Sequence, residues 1–312
     1  MSNKKGSNNN IDLIAEFFIN LLIKLIGFLS LKTCRKIGAI CGRILLAFDK
    51  RHKIIAMNNL KLAFKDEKTP DEIKKICRKH FESLGMIIFE VAWSLRLKKH
   101  ELFKYVKIEG RVNIKKAYEK KRGVLVLTGH FGNFELLTIS AAILHYPASI
   151  VYRPLDYMPM EKFIINLRTR FGGKLISTKD KPFKKIIEAL FRAEMIGLLM
   201  DQSVDWYQGV FVDFFGEMTC TNKGMALLAL NTEAPVVPVF MIREDYGFKA
   251  LWLPEIILKK TGDERKDIEI NTQQYNNIIE TLVRKYPEQW FWVHNRWKTS
   301  PYSKWPDNND SC

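Results

Sequence analysis

The chain has 312 residues, of which 47% are hydrophobic and 12% aromatic, so it is long enough and apolar enough to fold around a large core and is not a disordered protein. Its 50 Lys and Arg residues outnumber 34 Asp and Glu residues, and the formal net charge of +16 favours an acidic partner: nucleic acid, an anionic bilayer or an acidic protein. No stretch combines basic and aromatic residues as a base-stacking module does, so nucleic acid is the weakest of these three.

The N-terminal 31 residues predict a membrane anchor after a short tail. Residues 1–10 are polar and are predicted to be disordered, whereas residues 11–31 are apolar over nearly the length of a membrane span. Four polar residues recur in this segment at four-residue spacing: Asp12, Glu16, Asn20 and Lys24. On a helix they form one narrow stripe, which fits a helix lying flat on a bilayer, a span whose stripe packs against protein, or an ordinary core helix. A cleaved signal peptide is disfavoured because no small-residue cleavage site is clear.

Residues 32–105 predict a helical lead-in to the main domain. Basic residues far outnumber acidic ones over residues 32–61, which would hold the anchor on the cytoplasmic face of a membrane. Helical periodicity covers residues 54–64 and 71–98, and Pro70 after Thr69 is typical of a helix start.

Residues 106–300 alternate short apolar runs with helical stretches. The predicted strands are 124–127, 149–152, 174–176, 196–200, 210–211 and 236–241. The predicted helices are 112–121, 134–144, 160–171, 183–193, 223–230 and 274–286. This alternation predicts a layered α/β fold, with a mostly parallel or mixed sheet flanked by helices, and a tail at residues 301–312.

The first predicted strand runs into the motif Gly129-His-Phe-Gly-Asn-Phe-Glu135. On one helix His130 and Glu135 would lie on different faces, so they meet only if His130 occupies the connecting loop, a turn that Gly129 and Gly132 permit. A carboxylate that fixes an imidazole makes it a general base, and a helix start disfavours a positive charge, so we expect a neutral His130 held by Glu135. The same spacing also fits a histidine that caps the helix beside a solvated glutamate.

Polar residues follow later strands too. Arg153 leaves the second predicted strand and Arg168 lies in the next helix, where a guanidinium suits phosphate or carboxylate binding unless it is simply a surface group. Asp201 and Gln202 follow the strand at 196–200. Open α/β sheets bind ligands at the carboxyl ends of their strands, so this position favours a site.

A hydroxyl and a glycine lie at the start of the helix predicted at 223–230. Thr221 and Gly224 occupy a place where small residues at a helix start can bind an anionic oxygen, although capping needs no ligand. Hydrolase, nucleotide and zinc-protease signatures are missing: there is no Gly-x-Ser-x-Gly, no Gly-x4-Gly-Lys-Ser/Thr and no His-Glu-x-x-His. The five cysteines form no Cys-x-x-Cys pair and no cluster with histidine, so they predict reduced thiols and no zinc site.

In this order, the motifs resemble those of the bacterial lipid A biosynthesis acyltransferases, a branch of the lysophospholipid acyltransferase superfamily. The resemblance spans roughly residues 10–300. It rests on Gly129-His-Phe-Gly-Asn-Phe-Glu135, Val151-Tyr-Arg-Pro154, Asp201-Gln202, the block from Val210 to Gly224, Pro235-Val-Val-Pro238 and Gln289-Trp-Phe-Trp-Val-His-Asn-Arg-Trp-Lys298.

The resemblance implies an α/β enzyme held on the inner membrane by its N-terminus, with its active site facing the cytoplasm and with no metal or cofactor. Such an enzyme moves a fatty acyl group from a thioester, on acyl carrier protein or coenzyme A, to a hydroxyl of an anionic glycolipid, the lipid A precursor. His130 would be the general base and Glu135 its orienting carboxylate, with Arg153 and Asp201 near the site.

Other functions remain compatible with the sequence. The same chemistry could serve another glycolipid, an aminolipid or a lysophospholipid, because local motifs do not specify the acceptor. A basic membrane-associated binding protein without catalysis would be expected to have lost the His130 and Glu135 pair, which is intact here. A nucleic-acid binder is supported by charge alone.

Overall fold

The computed structural model describes residues 21–299 and residue 301. A helical segment at residues 21–27 leads into ten helices within this range. In chain order they are α1 Leu31–Phe48, α2 Lys50–Phe64, α3 Pro70–Arg96, α4 Lys99–Phe103, α5 Arg111–Tyr118, α6 Leu137–Leu144, α7 Met158–Thr169, α8 Pro182–Phe191, α9 Gly224–Thr232 and α10 Glu264–Lys285. Short 3₁₀ turns occupy Lys65–Glu67, Phe134–Leu136, Trp206–Gln208 and Pro287–Gln289.

A mixed sheet of seven strands forms the centre of the described residues. The described residues form nine strands, seven of them in this sheet: β1 Val106–Glu109, β2 Val124–Thr128, β3 Ala148–Tyr152, β4 Lys174–Ser177, β5 Met195–Leu199, β6 Gly209–Phe214, β7 Glu217–Asn222, β8 Val236–Glu244 and β9 Gly247–Trp252. The spatial order is β1-β9-β8-β2-β5-β3-β4, and β6 pairs with β7 in a separate hairpin. Every pair in the large sheet is parallel except β8 with β9, so the predicted α/β architecture with a mostly parallel sheet is confirmed.

The central strand β2 is buried on both faces, as a parallel strand between two helical layers should be. Leu125 and Leu127 face a core shared with α2, α9 and α10, whereas Val124 and Val126 face a core shared with α3, α6 and α7. The uninterrupted apolar run that predicted this strand therefore reflects helices on both sides of the sheet.

Helix α1 lies closely against α3 because three glycines remove the side chains between them. A Cβ on Gly42 would stand 2.0 Å from the Phe81 carbonyl oxygen, and a Cβ on Gly85 would stand 2.0 Å from the Gly38 carbonyl oxygen. The spacing of Gly38 and Gly42, four residues apart, is typical of close helix contact. The sequence placed this segment in the predicted helical lead-in and marked it as a basic flank, without giving bounds for its helix.

Residues 11–20 of the predicted anchor, and the polar tail before them, lie outside the described residues. Among the described residues, no helix combines the length and the apolarity required to cross a bilayer.

Candidate active site

His130 and Asp201 meet because they follow neighbouring parallel strands. In the register of β2 with β5, Thr128 lies opposite Leu199. Each of the two polar residues stands two positions beyond its member of that pair, at the carboxyl edge of the sheet. Two residues 71 positions apart in the chain are thus brought together by strand pairing rather than by local spacing.

The Asp201 carboxylate is fully buried and accepts three hydrogen bonds. His130 Nδ1 lies 2.9 Å from Asp201 Oδ1, and the backbone N–H of His130 donates to Oδ2 at 2.8 Å. The indole N–H of Trp290 donates to the same Oδ2, also at 2.8 Å. A carboxylate held in this way accepts the Nδ1–H of the imidazole and leaves Nε2 as the basic nitrogen.

The pair shifts the pKa values of both members. Burial would raise the pKa of the Asp201 carboxyl, but the charge of His130 and the hydrogen bonds from it outweigh burial and lower that pKa. Burial would lower the pKa of His130, yet the negative charge of Asp201 and their hydrogen bond raise it. The raised pKa opposes the effect expected of the helix start, which disfavours a positive charge on His130, because the Asp201 carboxylate dominates.

The loop that carries His130 is fixed by its backbone. Gly132 has φ +55°, and a Cβ there would lie 1.8 Å from the Met241 carbonyl oxygen, so glycine is required both for the turn and for the close approach. The Gly132 N–H donates to the Gln289 carbonyl at 2.8 Å, and the Phe291 N–H donates to the His130 carbonyl at 3.1 Å. The segment around Gln289 and Phe291 thus covers the loop from the outside.

A buried ionic cluster holds the same loop from the inside. The Glu90 carboxylate, fully buried on α3, accepts from Asn133 Nδ2 at 2.9 Å, from Arg243 Nε at 2.7 Å and from Arg35 Nε at 2.7 Å. Burial would raise the pKa of Glu90, but the two guanidinium groups outweigh burial and lower it. Residues of α1, α3 and β8 therefore meet at this carboxylate, which also binds Asn133. Asn133 lies between His130 and Glu135 in the motif.

Glu135 contacts Arg168 instead of His130. Its carboxylate accepts two parallel hydrogen bonds from that guanidinium, at 2.9 Å from Nε and 2.8 Å from Nη2, and both side chains are mostly buried. The carboxylate hydrogen-bonded to His130 is the one on Asp201. Glu135 lies in the 3₁₀ turn after the loop, which points its side chain towards α7. It remains close enough for its charge to contribute to the raised pKa of His130.

An apolar pocket opens beside these groups, on the α6 and α7 side of the sheet. Its cavity volume is about 70 Å³. Thr128, Phe134 and Arg168 line its end at the carboxyl edge, while Ala148 and Met195 line its other end, near the start of β3 and β5. The Phe134 ring lies 4.9 Å from the His130 ring, centroid to centroid, so the pocket begins next to the imidazole.

Comparison with known proteins supplies the family. The sequence profile described as bacterial lipid A biosynthesis acyltransferase matches residues 4–299. The chain belongs to this family. It is therefore an acyltransferase.

The relatives are named after different acyl groups or different lipids. The chain is 29% identical over 268 residues to the lipid A biosynthesis palmitoleoyltransferase of Escherichia coli, and 28% identical over 269 residues to the lauroyltransferase of the same organism, with 85% of each chain covered in both alignments. It is also 24% identical over 184 residues to a phosphatidylinositol mannoside acyltransferase of Mycolicibacterium smegmatis, covering 58% of this chain and 59% of the relative.

The four other site residues predicted from the sequence fall into two groups. Arg153 and Gln202 are exposed at the carboxyl edge, just after β3 and just after Asp201. Thr221 is fully buried and accepts a hydrogen bond from Arg296 Nη2 at 2.7 Å, while the Gly224 N–H donates to Asn222 Oδ1 at 2.7 Å. The contacts of these last two are internal to the fold, but Thr221 does not cap α9, which begins without a side-chain cap.

Two residues that contact Asp201 were not predicted from the sequence. Trp290 donates to its carboxylate, and His294 Nε2 lies 3.0 Å from its carbonyl oxygen, while His294 Nδ1 lies 2.5 Å from the Phe291 carbonyl. Burial lowers the pKa of His294, although the charge of Asp201 opposes this shift. The available signal was the C-terminal aromatic motif, which the resemblance included but to which no contact was assigned.

Proposed function

We propose that this acyltransferase is a membrane-bound enzyme that moves a fatty acyl group from a thioester, on acyl carrier protein, to a hydroxyl of a lipid A precursor. The observation that carries the mechanism is the His130 to Asp201 hydrogen bond at the mouth of an apolar pocket. Support for the acceptor comes from the relatives named as lipid A biosynthesis enzymes. We place the enzyme at the inner membrane, with its site on the cytoplasmic face.

His130 acts as the general base. Its Nε2 makes no hydrogen bond to any described residue, so it is available to the acceptor hydroxyl. As that oxygen attacks the thioester carbonyl, Nε2 takes its proton, and Asp201 stabilises the imidazolium that forms. Collapse of the tetrahedral intermediate breaks the carbon–sulfur bond, and the leaving thiolate recovers the proton from His130. The products are an ester and a free thiol.

The apolar pocket binds the acyl chain of the donor. Its walls are contributed mainly by apolar side chains of β2, β3, β5 and α6, and burial of each methylene contributes about 0.8 kcal/mol. From Leu199 down to Met195 the strand rises by about 13 Å at 3.3 Å per residue, which sets the depth along β5. The Glu135 and Arg168 ion pair closes one side of the mouth and keeps the guanidinium facing the site.

The net positive charge of the protein suits all three partners of the reaction. A formal charge of +16 attracts an acidic carrier protein, a phosphorylated glycolipid and an anionic bilayer. Arg153, exposed at the carboxyl edge, and Gln202 lie where the polar part of a substrate would approach His130.

Transfer of labelled acyl groups from acyl carrier protein to a purified lipid A precursor tests this function. We expect His130→Ala to lower kcat by about 10²- to 10⁴-fold. The control is His100→Ala, which removes an exposed histidine of α4 and should leave turnover unchanged. Full turnover by His130→Ala would refute the mechanism, and no transfer by the native enzyme to this acceptor would refute the substrate.

A second acceptor class is favoured by one comparison. The similarity to a phosphatidylinositol mannoside acyltransferase shows that related chains act on a different glycolipid. Mass spectrometry of lipids from cells with and without this gene distinguishes the two acceptors, because the acylated product carries the head group of whichever lipid was used.

A further inference from the structure

The exposed apolar side chains near the site belong to segments that follow three adjacent strands. Strands β5, β3 and β4 are neighbours and parallel, so the segments after them emerge at the same edge of the sheet as His130. Six side chains in these segments are large, apolar and between 41% and 57% exposed, and we call them the apolar rim: Leu155, Tyr157, Met158, Phe183, Trp206 and Tyr207. The two on the last segment are in contact with each other, with ring centroids 5.9 Å apart.

Basic residues surround the apolar rim. In residues 153–162, 178–185 and 201–208 the exposed cations are Arg153, Lys162, Lys179, Lys181, Lys184 and Lys185, against the exposed acids Asp156, Asp180 and Asp205. Two of these acids already pair with lysines of the same surface, Asp156 with Lys179 and Asp180 with Lys185. Lys184 also pairs with Glu188, so the net positive charge of this surface comes from the excess of cations over acids. Tyr, Trp and Met side chains on a surface of net positive charge form the composition of a surface that lies at the headgroup level of an anionic bilayer.

The start of α1 lies at the same edge. Arg35 donates to the carbonyl oxygens of Asp245 and Gly247, at 3.0 and 2.7 Å, in the turn between β8 and β9. Because β8 is parallel to β2, this turn is also at the carboxyl edge. Phe28, 82% exposed, immediately precedes α1. The C-terminal end of the predicted anchor therefore lies at the same edge of the sheet as the apolar rim.

We propose that the apolar rim is a second membrane-docking surface, which inserts among the headgroups of an anionic phospholipid bilayer and brings the mouth of the His130 pocket to the lipid surface. This proposal rests on the proposed function for its purpose, since an acceptor lipid could then reach His130 without leaving the membrane. Its physical basis is independent of catalysis: the aromatic and apolar side chains are buried in the interface, and the lysines pair with lipid phosphates.

Tryptophan fluorescence tests the docking directly. None of the seven tryptophans lies in residues 1–31, and four of the seven are buried: Trp93, Trp252, Trp290 and Trp292. The full-length protein carrying Trp305→Phe is mixed with vesicles of brominated phosphatidylcholine and phosphatidylglycerol, and lipid-dependent quenching is measured. Most of the quenching should disappear when Trp206→Phe is added. Undiminished quenching without Trp206, or no quenching at all, would overturn the proposal.

A matched pair of variants tests the effect on catalysis. The rim variant carries Met158→Ser, Trp206→Ser and Tyr207→Ser, and the control variant carries Phe191→Ser and Ile257→Ser, which remove exposed apolar side chains at the opposite edge. With acceptor in anionic vesicles, the rim variant should show an apparent KM raised by about tenfold, equivalent to about 1.4 kcal/mol. With acceptor in detergent micelles, both variants should match the native enzyme. An equal loss in both variants would contradict the proposal, whereas an enzyme inactive on lipid A precursor would refute the proposed function and leave the quenching result valid.

Discussion

His130 and Asp201 are joined through two atoms of the histidine, its ring Nδ1 and its backbone N–H, which contact the two oxygens of one carboxylate at 2.9 and 2.8 Å. This double contact fixes the rotation of the ring as well as its tautomer.

Replacing the carboxylate should therefore change both the rate and its pH dependence. Because Asp201 raises the pKa of His130, and the base must be neutral, turnover of the native enzyme should rise with pH through a value above the ordinary histidine pKa of about 6.5. Asp201→Asn should lower kcat by about 10²- to 10⁴-fold and move the acidic limb to lower pH, as measured by kcat/KM against pH. An unmoved limb would show that Asp201 does not set the pKa of His130.

Glu135 should behave differently from Asp201. Removing it by Glu135→Ala leaves the mostly buried Arg168 unpaired, so activity and stability should fall, while the acidic limb should move less than in Asp201→Asn because only a longer-range charge is lost. The double variant Glu135→Ala/Arg168→Ala should lose less free energy of unfolding than the sum of the single variants, with a coupling of about 0.5–3 kcal/mol. Additive losses of unfolding free energy would contradict the coupling of Glu135 to Arg168. A shift of the acidic limb of the pH–rate profile as large as that of Asp201→Asn would support Glu135 as the orienting carboxylate of His130.

The acyl pocket should set the length of the transferred chain. Gly197 lies on β5 halfway along the pocket, and the nearest heavy atom to a Cβ placed there is the Ser149 carbonyl oxygen at 3.9 Å, so a small side chain fits without displacing the backbone. Gly197→Val should favour shorter acyl groups, measured as the ratio of kcat/KM for donors of different chain length. A matched control is Gly262→Ala, which lies outside the pocket lining with no heavy atom within 4 Å of the added Cβ. Unchanged selectivity in Gly197→Val would place the acyl chain elsewhere.

The turn at Gly132 should be intolerant of any side chain. Gly132→Ala adds a Cβ 1.8 Å from the Met241 carbonyl, in addition to the strain of a φ of +55°. Gly172→Ala is the control, since φ there is +90° but the Cβ would meet no heavy atom within 4 Å. Calorimetry should give a lower Tm for Gly132→Ala than for Gly172→Ala, because only Gly132→Ala adds a steric contact to the strain of a positive φ. Equal Tm values would mean that the loop can move away from β8.

Strands β2, β3, β5 and β8 could be predicted from sequence because each contains a largely apolar run bounded by turn residues. The position of His130 at the carboxyl edge of the sheet could be predicted because it follows such a run. Its partner could not, since Glu135 is five residues away in the chain while Asp201 is 71 away, and strand order decides which of them reaches the ring. Strands β1 and β9 were missed because their runs are short and contain lysines.

The Glu90 cluster also limits how far the N-terminus can be shortened to obtain a water-soluble enzyme. Ile26 is buried in the core, Ser30 caps α1, and Arg35 completes the charge balance around Glu90. A chain that begins beyond Arg35 leaves Arg243 as the single guanidinium on that carboxylate and removes one support of the loop that carries Asn133. We therefore expect the shortest chain that retains turnover to begin before Ile26, so that the first helices act as a scaffold for catalysis and not as a detachable leader.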